Sequence, residues 1–182
     1  MKKSLLPLLF LCTAQLASGQ DIPEPDFNQR PYFLQDGKLM DLEKADATME
    51  RKMKGMGYGG VEYYYSVDGT KSNIRFSSSS LPKLVIKVED NTDPTELYSL
   101  CAAEVKKNSR RFKTLKMGVL GELKSTDNNK LAINAKKLRE KVFEMVVVGN
   151  LPTGEFALVP QSNDATKKIL STGGKVFCFG ID

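Results

Sequence analysis

Val61-Glu62-Tyr63-Tyr64-Tyr65-Ser66-Val67-Asp68-Gly69 decides the fold class. Val61, Tyr63, Tyr65 and Val67 alternate with Glu62, Tyr64 and Ser66. A period of two marks a half-buried strand, because successive side chains leave opposite faces. Asp68-Gly69 then supplies turn chemistry. The alternation sends Tyr63 and Tyr65 to a core and Tyr64 to the surface. A binding site lined by the three tyrosines is the other reading.

The same pattern repeats in both directions. Upstream, 31–34 reads as a strand, Gln35-Asp36-Gly37 turns it, and 38–42 returns. Residues 43–54 fit two periods. Leu42, Ala45, Met49 and Met53 suit a helical face, while Ala45, Ala47, Met49 and Met53 suit alternation with Arg51 out of place; the balance favours a strand. Residues 55–60 (GMGYGG) form a loop. Downstream, 73–76 is a short strand before the serine run 77–80, and Leu84, Ile86 and Val88 mark another. Asp93-Pro94-Thr95-Glu96 predicts a helix of one or two turns, with Asp93 as cap and proline at the first position. Residues 100–106 and 111–115 read as a hairpin about Asn108-Ser109, and 131–135 as a strand.

The run 142–148 is almost wholly apolar and predicts a central strand. Residues 155–159 follow a turn at 152–154, and 163–170 hold a helical turn. At the end of the chain, Val176, Cys178 and Gly180 share one face, and Phe177, Phe179 and Ile181 the other. A strand apolar on both faces is buried on both. Nine to eleven short strands without long helices predict a mainly β chain. The architecture expected is an antiparallel β-sandwich, or a barrel-like variant of it.

The N-terminus has the three parts of a cleavable signal. Lys2 and Lys3 are the basic region, 5–12 (LLPLLFLC) the apolar stretch, and Ala17-Ser18-Gly19 the small residues before a cut. Residues 1–19 are therefore read as a signal peptide, 20–31 as an extended leader carrying Pro23, Pro25 and Pro31, and 32–182 as one β-rich domain. An eight-residue apolar run is far short of the roughly 20 residues that span a bilayer. Leu11 before Cys12 does not suit lipidation. The expected location is secreted or periplasmic, with no membrane-spanning segment.

Composition narrows the chemistry. The chain has no histidine and no tryptophan, and a formal net charge of +5. Without histidine there is no Ser-His-Asp or Cys-His catalysis and no histidine-ligated metal. No cofactor, metal site or catalytic residue is assigned. Cys101 and Cys178 survive cleavage; an even count in an exported protein permits a disulfide, while their apolar contexts suit two buried free thiols.

Several patterns mimic functional motifs. Gly55, Gly57 and Gly60 spell G-x-G-x-x-G, but a dinucleotide site needs a strand before and a helix after. Residues 118–125 echo a phosphate loop, but Leu123 stands where glycine should precede Lys124. Glu89, Asp90, Asn91, Asp93 and Glu96 are oxygen-rich, yet lack the spacing of a calcium loop. Ser72 beside Lys71, and Ser125 beside Lys124, point to opposite faces if extended.

The densest basic segment comprises Lys106, Lys107, Arg110, Arg111, Lys113 and Lys116, with no acid between them. It reads as a solvated hairpin whose lysines blunt a sheet edge. Its functional alternative is a patch that meets anions such as phosphorylated envelope glycans or lipid headgroups. Only Phe112 interleaves as a stacking ring, so nucleic acid is not expected.

Three motifs carry a resemblance: Asp68-Gly69-Thr70-Lys71-Ser72, Leu151-Pro152-Thr153-Gly154-Glu155-Phe156-Ala157-Leu158, and Phe177-Cys178-Phe179-Gly180-Ile181-Asp182. Together they resemble a family of exported bacterial β-rich domains, known mainly as uncharacterised, with a P-x-G-E-[YF]-A pattern and a CFGID ending. The Met- and Gly-rich stretch 49–60 has no place in that pattern. The resemblance implies an exported β domain and no catalytic residues. The function expected is a non-catalytic, envelope-associated binding or scaffolding domain, its partner an envelope protein or an anionic envelope polymer. The rival is a glycan hydrolase with two carboxylates roughly 5–9.5 Å apart.

Overall fold

The computed structural model of the chain describes residues 22–55, 58–89, 92–125, 129–161 and 173–182. The expected signal 1–19 and the helical turn expected at 163–170 lie outside the described residues. In chain order the strands are β1 (Pro31–Gln35), β2 (Lys38–Asp41), β3 (Glu43–Met53), β4 (Val61–Asp68), β5 (Arg75–Phe76), β6 (Lys83–Lys87), β7 (Tyr98–Ala102) and β8 (Glu104–Val105). There follow β9 (Ser109–Met117), β10 (Leu123–Ser125), β11 (Lys130–Leu131), β12 (Ile133–Arg139), β13 (Val142–Val147), β14 (Gly154–Pro160) and β15 (Gly173–Ile181). The helix, α1, spans Pro94–Leu97, capped by Asp93, whose side chain accepts the Thr95 N–H at 2.8 Å.

Two sheets pack as a β-sandwich. The smaller runs β12-β13-β6-β1-β2; the larger runs β10-β9-β4-β3-β15-β14-β7-β11, with β5 added to β15 and β8 to β9. All pairings are antiparallel except β5 with β15. The main core lies between the sheets. Phe33, Leu84, Ile86 and Met145 come from the smaller sheet, and Leu100, Phe156, Leu158, Phe177, Phe179 and Ile181 from the larger. Each such side chain contributes about 1.5–3 kcal/mol by leaving water.

β15 explains why the larger sheet is not flat. Its Phe177, Phe179 and Ile181 enter the sandwich core. Val176 and Cys178, on the opposite face, are also fully buried, with Ala47, Tyr65, Val67, Cys101, Phe112, Ala157 and Val159. A second core on the far side of one sheet requires that sheet to curl over itself as a half-barrel. β9 reaches across the curl to β7 and β14. The chain bends at Ala103, whose N–H donates to the Glu155 carbonyl at 2.8 Å. β7 thus pairs with β14 while β8, continuing it, pairs with β9. The expectation that β15 is locked into the core holds.

Local expectations fare unevenly. Residues 43–53 are a strand, not a helix. The run at 142–147 is an interior strand, between β12 and β6, but Val146 and the following Val148 are exposed because that face of the smaller sheet meets solvent. Tyr64 is buried, not at the surface. The leader 22–30 has no regular element beyond a bridge of Asn28 to Lys87, yet it is pinned. The Gln29 N–H donates to the Lys87 carbonyl (2.7 Å), the Gln29 carbonyl accepts from the Tyr98 hydroxyl (2.7 Å), and the Ile22 carbonyl accepts from Arg139 (2.9 Å). The glycine at 60 is a packing requirement. Its φ is +79°, and a Cβ there would lie 2.2 Å from the Met117 carbonyl oxygen, where the 54–60 loop meets the end of β9.

Cys101 and Cys178 are both buried, and no disulfide joins them. They flank Ala157, Cys101 on β7 and Cys178 on β15. Two strand spacings separate them, about 9.5 Å, and disulfides need Cα atoms within about 7 Å. Burial pushes the Cys178 thiol up to about 12, so it is an inert apolar group.

Candidate functional site

The basic segment forms the β8–β9 hairpin, and alternation along β9 divides its charges. Arg110 and Phe112 point into the curl; Arg111 and Lys113 point out. Arg110 is 1 % exposed and cannot meet a ligand in solvent. Arg111 pairs with Glu50 at 2.9 Å, Lys113 with Glu62 at 2.5 Å, and Lys106 with Glu104. Lys107 is exposed at the turn, and Lys116 lies opposite Glu62 in the β4–β9 register. The six cations therefore do not converge. The segment itself holds no acid, but β3 and β4 bring carboxylates alongside it, a long-range pairing that local charge counting does not see.

Arg110 instead joins a cluster at one end of the curl that is buried at Arg110 and Glu155 and reaches the surface at Asp182. Glu43 lies opposite Cys178, Glu155 opposite Gly180, and Val67 opposite Arg110, so all three charged groups take the inward side of their strands. Arg110 donates to both carboxylate oxygens of Glu43, at 3.0 and 2.6 Å, and to the Asp68 carbonyl at 3.5 Å. Its Nη1 stands 3.7 Å from Glu155 Oε2. Glu155 also accepts the Ser72 N–H at 2.7 Å and a hydrogen bond from Arg75 Nη1. Arg75 Nε donates to Asp182 at 3.1 Å. The result is a chain of alternating charge: Glu43, Arg110, Glu155, Arg75, Asp182.

Each group's ionisation follows from its neighbours. Burial opposes charge on Glu43, but hydrogen bonds from Arg110 and Ser72, with the arginine's charge, hold its carboxyl below the usual value. Burial likewise works against the charge on Arg110, and Glu43 outweighs it. Asp182 and Glu155 keep Arg75 firmly charged, and Arg75 in turn lowers Asp182. Glu43 and Asp182 are thus held as anions, suited to fixing arginines rather than to donating a proton.

The three motifs that stood apart in sequence meet in this cluster. Asp68 and Ser72 come from the first; the Ser72 hydroxyl also hydrogen-bonds Glu43 and accepts the Ile74 N–H at 3.2 Å. Glu155 comes from the second. From the third, Gly180 lies under Arg75, where a Cβ would sit 2.0 Å from Nη1. Any side chain there excludes the Arg75–Glu155 contact. Sequence reasoning passed over Glu43, Arg75 and Glu155 as site residues. Glu43 shares the parity of Ala45 and Ala47, Arg110 that of Phe112, and Glu155 that of Ala157 and Val159. A charge at an inward strand position was the available signal.

An open groove of about 710 Å³ lies beside the cluster, between the β1–β2 turn and residues 73–83. Phe33, Ile74, Phe76 and Leu81 give it an apolar floor, and Asp36 is its one carboxylate. Arg75 borders it, with its donors turned to Glu155, Asp182 and the Ile181 carbonyl.

A second charge cluster lies on the outer face of β4. Glu62, nearly inaccessible, accepts from Tyr64 Oη at 2.7 Å and pairs with Lys113 at 2.5 Å and Lys54 at 2.8 Å. Burial opposes its charge, but Lys113, Lys54 and Tyr64 outweigh it and pull its carboxyl down to about 2. Burial and Glu62 push the Tyr64 phenol up. A carboxyl depressed on folding stabilises the fold above its unfolded pKa, and that contribution disappears as pH falls through the folded value. Stability should therefore drop between about pH 4.5 and pH 2 by on the order of 2 kcal/mol for this group. Urea unfolding of Glu62→Gln should show a shallower acid decline than the parent; an identical decline would remove Glu62 as its source.

The remaining candidates take ordinary roles. The 54–60 loop joins two strands and no helix follows it; Gly57 lies outside the described residues. Residues 118–121 form a turn closed by the Gly121 N–H on the Gly118 carbonyl at 3.1 Å. Asp93 caps α1, while Asp90 and Asn91 lie outside the described residues. Among the described residues no group of three or more acidic or cysteine side chains is placed to hold a metal ion. Ser72 is buried in the cluster and Lys71 is exposed. No helix among the described residues is long and apolar enough to cross a membrane. No family model, no curated protein and no solved structure matches the chain.

Proposed function

We propose that the chain is an exported, envelope-associated domain that binds or scaffolds without catalysis, with the groove over Phe33, Ile74 and Phe76 as its contact site. One observation carries the reading: the fold gathers its acids and neutralises them with arginine and lysine, while the groove holds a single carboxylate. A glycan hydrolase needs an acid whose pKa is raised so that it can protonate the leaving group. Every carboxyl with a resolved shift here, Glu24, Glu43, Glu62 and Asp182, is lowered. The three-motif resemblance and the N-terminal pattern support export.

Fractionation with N-terminal sequencing tests location. The chain should leave the cytoplasm and begin at or near Gln20; a protein still carrying 1–11 would overturn export. Incubation with purified cell-wall glycan tests catalysis. No new reducing ends are expected, and turnover abolished by Glu43→Gln or Glu155→Gln would put the hydrolase in its place.

A further inference from the structure

At the end of the curled sheet where β3 passes to β4 and β9 to β10, two turns lie against each other. The contact is backbone to backbone, with Gly60 on Met117 and Gly118. Both turns are internally bonded. The Tyr58 N–H donates to the Gly55 carbonyl (3.1 Å), the Gly59 N–H to the Lys54 carbonyl (2.9 Å), and the Gly118 N–H to the Glu122 carbonyl (2.8 Å). Among the described residues, these tips display the most exposed large apolar side chains: Leu120 at 92 %, Tyr58 at 85 %, Met53 at 66 % and Val119 at 63 %. Apolar groups grouped this way on a soluble fold mark an interaction surface.

The surroundings are basic. Lys52 and Lys54 lie on the β3 side and Lys116 on the β9 side. The acid of the second turn, Glu122, folds back over Gly118, where a Cβ would sit 2.6 Å from Oε1. Glu62, beneath, is already neutralised by Lys54 and Lys113.

We propose that Met53, Tyr58, Val119 and Leu120 on these paired tips insert into an anionic lipid surface, with Lys52 and Lys116 meeting its headgroups. Shape and charge together select this occupant. The side chains stand out from turns, largely exposed, so a protein partner would have to provide a pocket for each, whereas a fluid bilayer accommodates protruding groups without one. Leucine, valine and methionine suit the acyl boundary, and tyrosine the headgroup level. Lysines near the surface add attraction only where the lipids are anionic. The envelope reading supplies only the source of the bilayer. Fractionation tests that reading, and vesicles test this one, so each can fail alone.

The experiment is co-sedimentation of the purified chain with vesicles of phosphatidylcholine alone and of phosphatidylcholine with phosphatidylglycerol. Binding is expected to the anionic vesicles. Tyr58→Ser with Leu120→Ser should weaken it at least about tenfold, given the apolar area each side chain buries. Lys52→Gln with Lys116→Gln should weaken it about fivefold per lysine, with a smaller salt dependence. All four side chains lie outside the buried core, so both double variants should keep the parent's unfolding midpoint. The proposal is overturned if anionic vesicles are not bound, if neutral vesicles are bound equally well, or if the serine double variant binds unchanged. It is also overturned if the serine variant changes only the elution volume on gel filtration, which would make the tips a contact between copies.

Discussion

Arg110→Met is expected to destabilise the domain by about 3–5 kcal/mol, the cost of removing one partner from a buried ion pair. Methionine fills much of the arginine's volume, so the loss reports charge rather than a cavity. Without the guanidinium, Glu43 loses both of its arginine donors and keeps only the weaker bonds from Ser72 and Asn73, and Glu155 loses one of two arginines. Glu155 is buried and Glu43 only partly exposed, so water replaces the lost donors poorly. Urea unfolding at neutral pH measures the change. A second substitution sharpens it: Glu43→Gln should cost less in the Arg110→Met background than in the parent, because the orphaned charge is then gone. A loss below about 1 kcal/mol in the single variant would mean that Arg110 is not the cluster's centre.

The other large effect is expected at Phe179. Phe179→Ala should cost about 3–5 kcal/mol. The ring is fully buried, stacks on Phe156 with centroids 5.7 Å apart, and meets the edge of Phe76 at 5.8 Å. Phe76 in turn meets Phe33 at 5.0 Å, so one row of rings ties β15 to the smaller sheet. Phe27→Ala is the control: its ring is exposed, and it should stay within about 0.5 kcal/mol of the parent. If Phe179→Ala unfolds at nearly the parental urea concentration, the ring row does not hold the two layers together.

The cluster and the groove also divide the work of the three sequence motifs. Glu155, Gly180 and Asp182 explain much of the residue choice in the second and third motifs without any ligand. They hold β5 against β15, which keeps Ile74 and Phe76 in the floor of the groove. The cluster thereby shapes the neighbouring groove, which is the contact site proposed above.

The sequence by itself determined strands, their faces and the fold class, because alternation is a local property read over a few residues. The Tyr63–Val67 repeat and the two-faced apolar strand at 175–181 predict a layered antiparallel β fold, and the fold is a β-sandwich. Tertiary structure alone decided which charges meet. Residues 106–116 look like a free basic patch because the acids that hold Arg110, Arg111 and Lys113, namely Glu43, Glu50 and Glu62, lie more than forty residues away in sequence. Curling of the larger sheet brings those strands side by side, buries Arg110 and Tyr64, and keeps Cys101 and Cys178 apart across Ala157. Ion pairing and burial depend on strand order, and strand order is fixed by the packing of the whole chain rather than by any local run of residues.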